Sequence, residues 1–305
     1  MLKCSALYYK KKKNFLYYIH FNSKKNKRIT MTSNMLETIF LLTILIAPIQ
    51  GSHFLGGSIT WRIFNVSNSG TSVTIIITQN YQVKYNAGTC DSGSFANQIV
   101  VPGLTGSLAC SPSCPSGFGT ISTSPYCTDV SVSNGIASGQ RLDTVTIPVN
   151  SDFYVYYAST AWYSGVTGAS GWSVSSHINL VRRSDNNQFN NAPVANVISP
   201  LNIQINQITN IPLSISDADG DIIRCRWANA SGVVNECGSV CSPSNLPPNT
   251  ILYSNCTIEI TGLVNGAMYA ISFMVNDFIF NIKTNKYEYY SYRQKILLIQ
   301  RVHHR

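Results

Sequence analysis

The sequence has few of the side chains on which most enzyme chemistry depends. Charged residues make up 11% of the 305 residues, and histidine occurs only five times. Beyond residue 51 and before the terminal "VHHR", a Ser–His–Asp triad would have to use His53 or His177. That region has three glutamates, Glu236, Glu259 and Glu288, and neither a G-x-S-x-G nor an H-E-x-x-H motif. We therefore expect no catalytic activity, and an extracellular hydrolase using His177 or His53 is the alternative.

An excess of basic charge is also missing from most of the chain, although the formal net charge is +9. Nine of the 22 Lys and Arg residues lie in residues 1–30, which contain no acidic residue. The other 13 basic residues are balanced by the 13 acidic ones. A neutral body has no electrostatic footprint for DNA or RNA, so nucleic acid is excluded as a partner.

Long apolar runs are scarce as well. Residues 39–49, "IFLLTILIAPI", form an eleven-residue run that follows a basic segment and precedes Gly51. About 20 apolar residues are needed to span a bilayer, so this pattern predicts a cleaved secretory signal peptide within a leader at 1–51. Met31 or Met35 is then the expected start. Membrane attachment is expected only if the signal is an uncleaved anchor or the C-terminus is truncated.

Cysteine and Asn-x-Ser/Thr motifs agree with a secreted location. Apart from Cys4, the cysteines form two groups of four, which predicts two disulfides in each group with three possible pairings. Zinc is the alternative, because each group contains a C-x3-C step. The cysteines are Cys90, Cys110, Cys114 and Cys127, then Cys225, Cys237, Cys241 and Cys256. The predicted N-glycosylation sites are Asn65, Asn229 and Asn255.

The chain after residue 51 is typical of β-strands. Short segments rich in Val, Ile, Thr and Tyr alternate with Gly, Ser and Asn clusters, and no window has a helical apolar stripe. The polar segment "RRSDNNQFNNAPV" then suggests a break between two regions. We predict an all-β protein with two tandem antiparallel β-sandwich-like domains held by disulfides. Their predicted bounds are a first domain at 52–185, a linker at 186–193 and a second domain at 194–305.

Strict alternation in the second region predicts which side chains share a face. Ile223 and Cys225 point one way, Cys256 and Ile258 share a second inward face, and Tyr269 begins a third with its alternate neighbours. Because Cys225 and Cys256 both face inward, a bond between them is one natural pairing. Cys237 and Cys241 would then close a small loop.

Residues 211–277 resemble an immunoglobulin-like extracellular repeat of the PKD or cadherin-like kind. The matching positions are Asp217, Asp219, Gly220, Asp221, Trp227, Gly266, Tyr269 and Asp277. The region from "SHFLGGSITWR" to "SDADGDIIRCRWA" also resembles secreted or cell-surface proteins of invertebrates. These resemblances imply a tandem β-module ectodomain and supply no catalytic residues.

Two candidate binding sites remain. The turn "SDADGD" places Asp217, Asp219 and Asp221 at alternate positions, and Asp277 follows a later strand, so the four carboxylates could hold calcium. The alternative is a simple hairpin turn capped by Asp217.

Aromatic side chains form the second candidate. Trp162, Tyr163 and Trp172 bracket the loop "SGVTGASG" and are the best candidates for an exposed binding surface, although core packing is the stronger interpretation. We predict a secreted or cell-surface adhesion or recognition module for an extracellular protein or glycan ligand. A structural matrix or coat component is the alternative.

Overall fold

The computed structural model describes residues 6–11, 14–19, 54–85, 90–160, 162–163, 165–166, 170–196, 200–281 and 286–303. Eighteen strands and one five-residue helix occur in these ranges, so the all-β prediction is confirmed. Contacts divide the chain into two compact units, residues 1–50 and 51–305. No helix within the described ranges is long and apolar enough to cross a membrane.

The first unit contains an antiparallel hairpin. Strands β1 (Ala6–Lys11) and β2 (Asn14–Ile19) pair from Ala6 with Ile19 to Lys11 with Asn14. The predicted signal peptide at 39–49 and the alternative starts Met31 and Met35 lie outside the described residues.

The second unit contains the remaining elements. Its first half has β3 (Phe54–Val66), β4 (Ser72–Lys84), α1 (Ser92–Ala96), β5 (Ala109–Ser111), β6 (Tyr126–Ser131), β7 (Ile136–Pro148), β8 (Asp152–Thr160) and β9 (Gly171–Asn179). Its second half has β10 (Val194–Asn196), β11 (Leu201–Gln204), β12 (Ile208–Pro212), β13 (Ser214–Ser216), β14 (Ile222–Trp227), β15 (Ile251–Leu252), β16 (Thr257–Thr261), β17 (Met268–Asn281) and β18 (Lys286–His303).

A four-stranded antiparallel sheet has the order β3–β4–β7–β6. Its strand β4 shows alternation, because Val73, Ile75 and Ile77 are fully buried whereas Thr74 and Thr78 on the opposite face are half-buried; Ile76 on that face is buried as well. The buried face belongs to the first hydrophobic cluster, which also includes Phe54, Trp61 and Trp172. Large aromatic and β-branched side chains thus form most of this core.

A seven-stranded sheet joins the two halves of the second unit. Its path is β14–β17–β18–β9–β8–β5, with β11 paired parallel to β18. Two smaller sheets, β12–β16–β15 and β10–β13, complete the second half.

Strand β17 contributes alternate side chains to different cores. Met268 and Ala270 belong to the first hydrophobic cluster, whereas Ile271, Phe273 and their alternate neighbours belong to a second cluster built from residues of the C-terminal half. The predicted inward face that begins at Tyr269 is therefore present. Its opposite face is buried too, so β17 is a central strand covered on both sides rather than half-buried.

The predicted linker at 186–193 is partly exposed and partly packed. Residues 186–188 are exposed, whereas Phe189 and Ala192 pack in the first cluster and Asn190 is fully buried. The division of the second unit into domains at 52–185 and 194–305 stays a prediction.

All eight cysteines that were predicted to form disulfides do so. Cys90 bonds Cys127 and Cys110 bonds Cys114 in the first group. In the second group Cys225 bonds Cys256 and Cys237 bonds Cys241, which is the pairing indicated by the shared inward face. None of these eight thiols remains available to zinc.

The two disulfides of the first group are expected to differ in their contribution to stability. The Cys90–Cys127 bond closes a sequence separation of 37 residues, and Cys110–Cys114 closes one of four. Loop-closure entropy predicts a loss of about 4 kcal/mol for the double change Cys90→Ala with Cys127→Ala, and about 2 kcal/mol for Cys110→Ala with Cys114→Ala. Urea unfolding of both variants measures the difference, and equal losses would contradict this expectation.

Candidate cation site

The turn between β13 and β14 is organised by Asp217. Its Oδ1 accepts hydrogen bonds from the backbone N–H groups of Asp219 and Asp221, at 2.9 and 3.0 Å. Gly220 has a φ of +77°, which glycine adopts without strain. The two flanking strands pair in different sheets, since β13 pairs with β10 and β14 with β17, so the turn is a connection between sheets rather than a hairpin.

Asp277 is a buried carboxylate on the central strand. It lies where the register between β17 and β18 shifts, and its side chain is 0% exposed. Its Oδ2 accepts a hydrogen bond of 2.5 Å from Asn190 Nδ2, whereas its Oδ1 has no hydrogen-bond partner among the described residues. Burial raises the pKa of Asp277 to about 8, and the charges of Asp217 and Asp221 act in the same direction.

Three of the four predicted ligands converge. Carboxylate oxygens of Asp217, Asp221 and Asp277 all lie within 4.8 Å of one another. Within the part of the chain that the structure describes, Asp217 Oδ2 is buried without a hydrogen-bond partner, like Asp277 Oδ1, and burial also raises the pKa of Asp217. Two of the three converging carboxylates therefore each have one oxygen without a hydrogen-bond partner among the described residues.

Asp219 was predicted to be a calcium ligand, but its side chain bonds Asn191 instead. Its Oδ2 accepts a hydrogen bond of 2.6 Å from the backbone N–H of Asn191, and its Oδ1 accepts one of 2.9 Å from Asn191 Nδ2. Its side chain therefore holds the segment before β10 and does not join the other three carboxylates.

Arg183 is the cation beside the cluster. Its guanidinium donates two hydrogen bonds of 2.6 Å to Asp221, two to Asp185 at 2.9 and 3.0 Å, and one of 2.7 Å to Asn190 Oδ1. The guanidinium hydrogen bonds lower the pKa of Asp185. Sequence reasoning assigned "RRSDNNQFNNAPV" to a linker and missed Arg183, Asn190 and Asn191, because their partners lie 28 to 87 residues away along the chain.

The predicted aromatic surface is only partly present. Trp162 and Trp172 are 3% and 1% exposed, and their indole N–H groups donate to the carbonyls of Gly171 and Thr160. The ring of Trp172 stacks on Phe54 with centroids 3.8 Å apart. These two residues are therefore core residues, which corrects the expectation of exposure, and packing of this kind is typical of large aromatics in β-proteins.

Tyr163, the third aromatic residue of that prediction, is half-buried. The Lys84 ammonium lies 5.5 Å from the centroid of its ring. Tyr163 is thus the member of the set that solvent still reaches.

The other predicted sites have distinct settings. His177 is buried, its Nε2 bonds the carboxylate of Asp152, and its ring stacks on Tyr154 at 4.4 Å. His53 lies outside the described residues. The glycosylation sites Asn65, Asn229 and Asn255 are all exposed, and their glycosylation stays a prediction.

The fold and disulfides define a crosslinked β-protein with an acidic, oxygen-only cluster in its C-terminal half. Residues 55–181, which run from β3 to just beyond β9, match the family model described as integrin beta-like protein A-E, N-terminal. The match indicates an integrin-beta-like β-rich domain and covers less than half of the chain. No curated protein matches the sequence. The three converging carboxylates, Asp217, Asp221 and Asp277, all lie outside the matched residues.

Replacement of Arg183 is expected to destabilise the protein strongly. The change Arg183→Met leaves the carboxylates of Asp185 and Asp221 without their counter-charge, and such a loss costs about 3–5 kcal/mol. The matched control is Arg182→Met, since Arg182 is exposed and lies over the ring of Phe189 at 4.4 Å, a contact worth about 1 kcal/mol. Chemical unfolding of both variants provides the comparison, and similar losses would show that the buried network contributes little.

Proposed function

We propose that this protein is an extracellular adhesion or recognition module, secreted or held at the cell surface, without catalytic activity of its own. The observation that carries the proposal is the match of residues 55–181 to the N-terminal domain of the integrin beta-like proteins. The four disulfides support an oxidising compartment, since such bonds are rare in reducing ones. The expected ligand is an extracellular protein or glycan.

The proposal assigns a supporting role to the C-terminal half. Residues 211–277 form an Ig-like, PKD-like or cadherin-like repeat in this proposal, and calcium stabilises it. The three converging carboxylates, of which Asp277 is buried, support the calcium component, because Ca²⁺ prefers oxygen ligands.

Saturable cell binding distinguishes recognition from a structural role. The purified secreted chain, labelled and monomeric, is expected to bind a limited number of sites on cells of the source organism. A control sample with its disulfides reduced and alkylated should lose this binding, because unfolding removes the surface that is recognised. Unsaturable uptake together with self-assembly in light scattering would instead identify a matrix or coat component.

The intact mass of the secreted chain tests the proposed extracellular location separately. Reduction of the four disulfides is expected to raise the mass of the secreted chain by eight hydrogens. Enzymatic deglycosylation should lower the mass, and Asn→Gln changes at Asn65, Asn229 and Asn255 assign the occupied sites. Free thiols and an unchanged mass after deglycosylation would contradict secretion.

A further inference from the structure

We propose that Asp217, Asp221 and Asp277 form one Ca²⁺ site that fastens the segment 183–191 to the second hydrophobic cluster. The inference rests on the calcium component of the proposed function and deepens it. It assigns three residues as ligands and excludes Asp219. It also states what the ion does, which is to hold the segment 183–191 against the second hydrophobic cluster.

Charge and burial point to a missing cation. A guanidinium has five N–H groups, and those of Arg183 make five hydrogen bonds, to Asp185, Asn190 and Asp221. Arg183 therefore has no donor left for Asp217 Oδ2 or Asp277 Oδ1, and no other described residue donates a hydrogen bond to these two buried oxygens. Buried carboxylate oxygens are costly unless a donor or a metal ion compensates them.

The donor set selects a hard cation. The converging atoms are all carboxylate oxygens, whereas zinc prefers thiolate and imidazole ligands. Two oxygens that each lie about 2.4 Å from a shared Ca²⁺ are at most about 4.8 Å apart. The three carboxylates lie within that limit of one another, and water or carbonyl oxygens would complete the six to eight ligands that calcium takes.

The ligands lie where separate parts of the fold meet. Asp277 belongs to the central strand β17, while Asp217 and Asp221 belong to the turn before β14. Asn190 bonds Asp277, and Asn191 bonds Asp219. An ion held by the three carboxylates would thus fix the turn and the strand against the segment that contains both asparagines.

That segment also reaches the first core. Asn191 Oδ1 accepts a hydrogen bond of 2.8 Å from the backbone N–H of Ile63, and the N–H of Ala192 donates to the carbonyl of Trp61. Both partners lie in β3. Calcium at the cluster would therefore stabilise the connection between β3 and the second hydrophobic cluster.

Amide hydrogen exchange of the full secreted chain tests the inference. With a dissociation constant of about 0.5 mM, about 5 mM calcium should slow exchange in 184–191 and 217–221 roughly tenfold relative to chelator. Segment 71–83 in the four-stranded sheet is the internal reference and should not respond. Magnesium at the same concentration should have a much smaller effect, because it requires a compact octahedral site.

Two matched variants make the test specific. Asp277→Asn keeps the shape of the side chain and replaces one carboxylate oxygen with an amide nitrogen, which cannot bind calcium. The calcium-free variant should therefore melt close to the unaltered protein and should lose the calcium response. Asp219→Asn changes a neighbouring carboxylate that is not assigned as a ligand and should retain the response. The inference is overturned if the unaltered protein shows no calcium response, if Asp277→Asn keeps it, if Asp219→Asn abolishes it, or if magnesium acts equally.

Cell binding is measured independently of this response. A chain that binds cells saturably but ignores calcium would overturn the cation site and leave the adhesion function standing. A calcium response without cell binding would overturn the adhesion function and leave the cation site standing.

Discussion

The burial of β17 on both faces is the constraint on which the rest of the second unit depends. Its side chains enter three hydrophobic clusters, the third through Met274, and its neighbours β14 and β18 link it to strands from both halves of that unit. A strand in this position has no solvent-facing side for a polar residue, so Asp277 must be compensated from within the protein. The acidic cluster and its arginine are the local result of that requirement.

Features that depend on neighbouring residues could be predicted from the sequence. Segments rich in Val, Ile, Thr and Tyr identified strands, and alternation around Tyr269 identified an inward face, because the side-chain period of a strand is two residues. The shared face of Cys225 and Cys256 indicated their bond. The turn at Asp217 was visible because Asp and Gly favour turns for local steric and hydrogen-bonding reasons.

Features that depend on contacts between residues far apart along the chain could not be predicted from the sequence. Nothing in the polar segment "RRSDNNQFNNAPV" shows that Arg183 meets Asp221 or that Asn190 meets Asp277. The alternation at "SDADGD" suggested that Asp219 acts with its neighbours, but contact with Asn191 decides its role instead. Trp162 and Trp172 beside a Gly/Ser-rich loop suggested exposure, yet packing against Phe54 places both in the core.

The interlocking of the two halves limits how the protein can be divided. Gly238 lies so close to Gly171 that an added Cβ would stand 2.6 Å from its carbonyl oxygen, and Ser239 bonds the same strand end. Val240 and Met268 also complete the first hydrophobic cluster. A fragment ending near residue 185 would therefore lack Val240 and Met268 from the first hydrophobic cluster and the contacts that Gly238 and Ser239 make with the start of β9.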